Sequence, residues 1–147
     1  MLSGEPYRLL MEPILSDDDR AEVKKMLAEA LTGGVEMHLY TQGTNEHGPI
    51  AKQLLTEVAA LNAKIQLTVH DGAADGLEGF DPAIVFKGPA VKGTLRYLGL
   101  PAGYEFRTLI DTLIAVSRGD SGLSAPARTA IAGVAKPVHL EVFVTPG

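Results

Sequence analysis

Two hydrophobic periodicities alternate along the chain and outline its elements. Val23, Met26, Leu27, Ala30 and Leu31 recur at three- and four-residue spacing, which lays one apolar stripe along a helix. Ahead of the stripe, Ser16 and the run Asp17–Asp19 supply a capping oxygen and negative charge for the helix start, and Gly33–Gly34 ends it. Val35 to Thr41 (VEMHLYT) alternates apolar with polar, the period of a strand. Pro49 can open a second helix as its first residue, with Ile50, Leu54, Leu55, Val58 and Leu61 on the apolar face. Lys64 to His70 (KIQLTVH) alternates again, placing Ile65, Leu67 and Val69 on one side. The glycines and acids of DGAADGLEGFD make a poor helix, so this stretch reads as a link into the apolar strand Pro82 to Phe86. KGPAVKG then turns the chain, and Thr94 to Leu98 is the return strand. GLPAGYEF leads into a helix from Tyr104 to Val116 that carries Phe106, Leu109, Ile110, Leu113 and Ile114.

The order over residues 17–117 is α-β-α-β-β-β-α, a βαβ half followed by a ββα half. That is the arrangement of an α/β, thioredoxin-like domain, a mixed sheet with flanking helices, here expected on both faces. An internal repeat extends this reading. VEMHLYTQGT, from Val35, matches VHLEVFVTPG, from Val138, with Met37 against Leu140, Leu39 against Val142 and Tyr40 against Phe143. Ser124 to Val134 repeats the opening helix more weakly. The expected organisation is an irregular N-terminal arm over 1–15, a thioredoxin-like unit over 16–118, and a linker over 119–147. That linker carries the first helix and strand of a second unit.

Composition narrows the partners. A hydrophobic share of 46% and a charged share of 21% are those of a globular protein. With 13 basic against 18 acidic residues the net charge is −5, which argues against nucleic acid. No apolar run approaches the ~20 residues that span a membrane, and the N-terminus lacks the pattern of a secretory signal. The cytoplasm is the expected location. The chain has no cysteine, which removes disulfides, thiolate metal ligands and thiol nucleophiles.

RYLGLPAGYEF, the apolar helix after it and VSRG resemble the first unit of two-unit thioredoxin-fold proteins. Two such families have this shape: the glutaredoxin-like protein disulfide oxidoreductases, and the N-terminal region of the alkyl hydroperoxide reductase flavoprotein subunit. The oxidoreductases typically carry a helix where this chain has DGAADGLEGFD, so the resemblance leans toward the flavoprotein subunit, whose first unit also lacks the cysteine pair. In these relatives the strand matching FVTPG runs into a Cys-x-x-Cys pair. The chain is therefore expected to be a fragment that ends just before it. The same match sets Asn45-Glu46-His47-Gly48 where a redox unit would have Cys-x-x-Cys, a vestigial redox loop. The resemblance also implies a cis-proline at Pro82, beginning a partner-binding strand at Asp81, Pro82 and Ala83. It implies no cofactor for this chain, and FAD and NADH only for a longer parent protein.

Other chemistries find less support. Asn45, Glu46 and His47 at a helix start would suit acid/base work or a small anion, but no second group stands against His47, so capping and solvation are expected. Thr41 and Thr44 are weaker nucleophile candidates still. A metal would have to gather His38, His47, His70 and Asp71, which form no compact ligand motif, so none is expected. The triple aspartate reads as a solvated helix start. Gly99, Pro101 and Gly103 lack phosphate-loop spacing and read as turn shape. The expected function is a redox-inactive thioredoxin-fold unit that scaffolds and docks within a two-unit thiol–disulfide oxidoreductase. Its expected partners are the second unit and a peroxiredoxin or another protein disulfide, with self-association through the C-terminal strand. The alternative is a stand-alone peptide-binding adaptor, and a third reading is a non-redox enzyme using His47.

Overall fold

A computed structural model of the chain describes residues 12–143. Helix α1, Asp17–Ala30, starts where Ser16 accepts a hydrogen bond from the Asp19 amide at 3.1 Å. Strand β1, Val35–Thr41, follows, then α2, His47–Ala59, and β2, Ile65–Asp71. Strands β3, Ala83–Lys87, and β4, Leu95–Leu98, precede α3, Glu105–Arg118, and the short α4, Ala125–Ala132. Pro49 is the third residue of α2 rather than its first. Any position in the first turn tolerates proline, because those amides have no partner within the helix.

The four strands form one mixed sheet in the order β2-β1-β3-β4. β1 runs parallel to β2 and antiparallel to β3, and β3 is antiparallel to β4. The register sets Val35, Met37 and Leu39 beside Ile65, Leu67 and Val69 on one neighbour and beside Phe86 and Ile84 on the other. That face is the core. Leu27 of α1, Leu54, Leu55 and Val58 of α2, and Leu109, Ile110, Leu113 and Val116 of α3 all bury against it in one cluster.

The opposite face carries Glu36, His38, Tyr40, Gln66, Thr68, His70, Val85, Lys87 and Arg96, and most of it is open. Only at one end does the loop before β3 reach over it, where Ala74 and Leu77 pack on Ala83 and Tyr40. Helices on both faces were expected, and among the described residues all three core helices lie on one. The link DGAADGLEGFD is the reason: a helix there would cover the second face, and its glycines and acids form turns instead.

Two contacts tie the ends of the elements together. Ser117, buried near the end of α3, accepts hydrogen bonds from the Thr32 and Gly33 amides, both at 2.9 Å, and donates to the Gly33 carbonyl at 2.7 Å. Before α1, the Ile14 and Leu15 amides donate to the Glu57 carboxylate of α2 at 2.9 and 3.0 Å, and Arg20 pairs with it at 3.2 Å. Residues 1–11 of the expected arm lie outside the described residues.

The C-terminal segment departs from expectation. Helix α4 is present but buries nothing. Residues 138–143 form no strand, and the remainder of the expected strand, 144–147, lies outside the described residues. Leu140 and Phe143 are 82% and 88% exposed. A strand exists through hydrogen bonds to a neighbour, and this segment meets no sheet edge, so its alternating pattern has nothing to pair with.

Candidate functional site

The loop between β1 and α2 is organised by one carboxylate across the sheet. Asp81, just ahead of β3, accepts hydrogen bonds from the Thr41 hydroxyl at 3.0 Å, the Gln42 amide at 3.1 Å and the Thr44 amide at 2.9 Å, and from the Thr44 hydroxyl. Its backbone carbonyl accepts from the Asn45 side-chain amide at 2.8 Å, and Gln42 Nε2 reaches the carbonyls of Glu78 and Phe80. Partial burial alone would raise the Asp81 carboxyl. The hydrogen bonds from Thr44, Gln42 and Thr41 outweigh it and hold the pKa at about 2. The peptide between Asp81 and Pro82 is cis.

The start of α2 packs tightly under this clamp. Gly48 is buried, and a Cβ there would lie 2.2 Å from the Thr41 hydroxyl oxygen. Glycine is required by that close approach, since its backbone angles are ordinary. Asn45 Oδ1 accepts from the His47 amide at 2.9 Å, satisfying one of the free amides of the helix start. His47 itself is exposed. A cavity of about 520 Å³ opens beside α2, lined by Thr41, Gly48, Pro49, Lys52, Glu57 and Asp71, but not by Asn45, Glu46 or His47.

The structure thus joins Thr41, Thr44, Asn45, Gly48 and Asp81 in one constellation and leaves His47 outside it. Both threonine hydroxyls are spent as donors to Asp81, which fits neither for nucleophilic attack. The four metal candidates do not assemble. His38 and His70 meet on the open sheet face, whereas His47 stands at the start of α2 and Asp71 lines the cavity. Among the described residues no group of three or more histidine, cysteine or carboxylate side chains is arranged to hold a metal. Gly99 and Gly103 adopt positive φ, 115° and 62°, in the turn into α3, so their role is shape. Sequence reasoning missed Asp81 as the organising group. The signal available was its place before a proline-led strand, with three donor residues in the loop that the sheet order sets opposite.

No protein-family model matches the chain. It is 25% identical over 132 residues to the alkyl hydroperoxide reductase AhpF of two Staphylococcus epidermidis strains, a match covering 90% of this chain and 24% of the relative. The chain therefore spans about a quarter of the length of these curated relatives. Among solved structures it resembles the AhpF protein of Enterococcus faecalis, with a TM-score of 0.67 and 22% identity over 81% of this chain and 60% of that one. The separate NTD_N/C domain of the same protein gives 0.68 at 22% identity, over 80% and 59%. A protein disulfide oxidoreductase from Aeropyrum pernix gives 0.65 at 24% identity, over 80% and 54%. At these identities the solved structures speak for the fold. The chain has a thioredoxin-type fold and is similar to the N-terminal region of the alkyl hydroperoxide reductase AhpF.

Proposed function

We propose that this chain is a redox-inactive thioredoxin-fold unit that scaffolds a thiol–disulfide system and docks against a cysteine-bearing unit. The observation that supports this most directly is the Asp81 clamp, which occupies the loop where such a fold would keep its cysteines. Thiol–disulfide exchange needs a thiolate nucleophile, and no residue of this chain has one. The groups around the loop are bound to one another instead. In the parent system the disulfide chemistry belongs to a second unit that acts on a peroxiredoxin or another protein disulfide, with FAD and NADH in further domains and the cytoplasm as the setting. The competing adaptor would seize an extended peptide through the backbone of the strand at Asp81 and Pro82. That reading has less support, because the Asp81 carbonyl already accepts from Asn45 and the Pro82 carbonyl from the Gly99 amide at 2.8 Å.

A disulfide-reduction assay tests the proposal. With insulin as substrate and dithiothreitol as reductant, the chain is expected to give only the background rate. Turnover clearly above background, abolished in a His47→Ala variant, would replace the scaffold reading with an enzymatic one.

A further inference from the structure

On the open face of the sheet, away from the clamp, Glu36, His38 and His70 form a connected row. His38 Nδ1 and His70 Nε2 are 2.9 Å apart, and His38 Nε2 lies 3.1 Å from Glu36 Oε2. Parallel pairing of β1 with β2 makes the two histidines diagonal neighbours on one face, because His38 stands beside Thr68 and Tyr40 beside His70. The two imidazole planes differ by 20° with centroids 5.2 Å apart. Nitrogens in such close contact mean that the rings meet edge to edge, one lone pair toward one N–H. The Tyr40 ring stacks on His70 at 4.4 Å and holds it in place.

We propose that His38 and His70 form a two-imidazole chelate for a late first-row divalent cation, with Glu36 as the group that orients His38. The hydrogen bond between the rings already sets their nitrogens 2.9 Å apart, which is also the separation spanned by two metal–nitrogen bonds of about 2.0–2.1 Å meeting at a right angle. That is the cis arrangement of square-planar Cu²⁺ or Ni²⁺. Glu36 accepts from Nε2–H of His38 and so fixes the tautomer whose Nδ1 lone pair faces His70. A carboxylate behind a ligating histidine is the usual means of setting its orientation and basicity. On binding, the cation takes the place of the proton shared by the two nitrogens. That proton moves to His70 Nδ1 or to solvent. The facing nitrogens lie close to the line between the two ring centroids, so each ring has to turn by roughly 45° before the lone pairs meet at one point. Lys87 and Arg96 lie on the same face and oppose the added charge, while Glu36 favours it. Water fills the remaining positions, so affinity is set by two protein nitrogens and follows the order that favours Cu²⁺ over Zn²⁺.

The test uses the 147-residue chain with CuCl₂ alone. Electron paramagnetic resonance of the one-to-one complex is expected to show coupling to two imidazole nitrogens, a readout that needs no variant. Calorimetry is expected to show affinity falling at least tenfold in His38→Ala and in His70→Ala, and about tenfold in Glu36→Gln. The variants His47→Ala and His139→Ala, which alter exposed histidines elsewhere, are expected to leave it unchanged. Coupling to a single nitrogen overturns the proposal. So does an affinity that survives loss of both His38 and His70, or one that depends on His139.

Discussion

At the residue scale, the decisive position is Asp81, whose carboxylate gathers donors from three loop residues. Asp81→Asn keeps the shape but removes the charge and one acceptor oxygen. Allowing for its partial exposure to solvent, the loss is expected to be about 1–2 kcal/mol at neutral pH, measured by urea unfolding. The pH dependence has a definite sign. The folded pKa of about 2 lies below the ordinary 3.8, so the stabilisation is complete above the ordinary value and vanishes as pH falls from there through about 2. The gap between the native chain and the Asp81→Asn variant should therefore close across that window; a gap that stayed constant would assign the effect to shape alone. Gly48 belongs to the same constellation. Gly48→Ala pushes a Cβ into the Thr41 hydroxyl and is expected to cost about 1–3 kcal/mol. In a Thr41→Ala background the cost should shrink, a non-additivity that a double-mutant cycle reads directly.

At the element scale, α3 is joined to the turn before β1 through Ser117, whose buried hydroxyl bonds Thr32 and Gly33 and whose carbonyl accepts from the Thr32 hydroxyl at 3.2 Å. Ser117→Ala would leave the Thr32 and Gly33 amides without their acceptor, an expected loss of about 1–3 kcal/mol. Amide hydrogen exchange should locate the change at those two amides; uniform acceleration across α3 would instead signal a global effect. The arm before α1 is held in a comparable way by Glu57. Its burial opposes ionisation, but bonds from Ile14, Leu15 and Gln53 and the charge of Arg20 bring its pKa below the ordinary carboxyl value. The sheet is also asymmetric. Parallel strands are usually covered on both faces; among the described residues, helices cover β1 and β2 on one face, and on the other only the loop before β3 packs on the Tyr40 end. The exposed side is tolerable to water because Glu36, Gln66, Thr68, Lys87 and Arg96 supply polar groups, and the histidine pair lies half-buried among them.

At the scale of the whole molecule, the core of the described residues ends with α3. Gly119, in the left-handed conformation with φ of 63°, closes that helix, and no residue of α4 is buried. Removing residues from Leu123 onward is accordingly expected to shift the thermal midpoint by less than about 4 °C. The same truncation should abolish most binding of an apolar fluorescent dye, because Val138, Leu140, Val142 and Phe143 are exposed. A large drop in the midpoint would mean that the segment packs on the unit in solution. This exposed stretch is where docking to another unit would begin under the scaffold reading.

Much of this was legible from local pattern. The helical stripe before Gly33, the alternation in β1 and β2, the proline-led β3 and the lack of cysteine determine the elements, their order and the absence of thiol chemistry, because each depends on neighbours within a few residues. That a polar loop follows β1 and leads into a helix was legible too, from the stretch ahead of Pro49. What tertiary structure decided depends on contacts between distant parts. The register of β1 with β2 brings His38 to His70, and the placing of β3 beside β1 brings Asp81 to Thr41, Thr44 and Asn45. The absence of a helix in the link leaves one sheet face open. The C-terminal segment shows the same limit in reverse: its strand pattern was plain, but a strand is completed only by a neighbour, and none of the described residues supplies one.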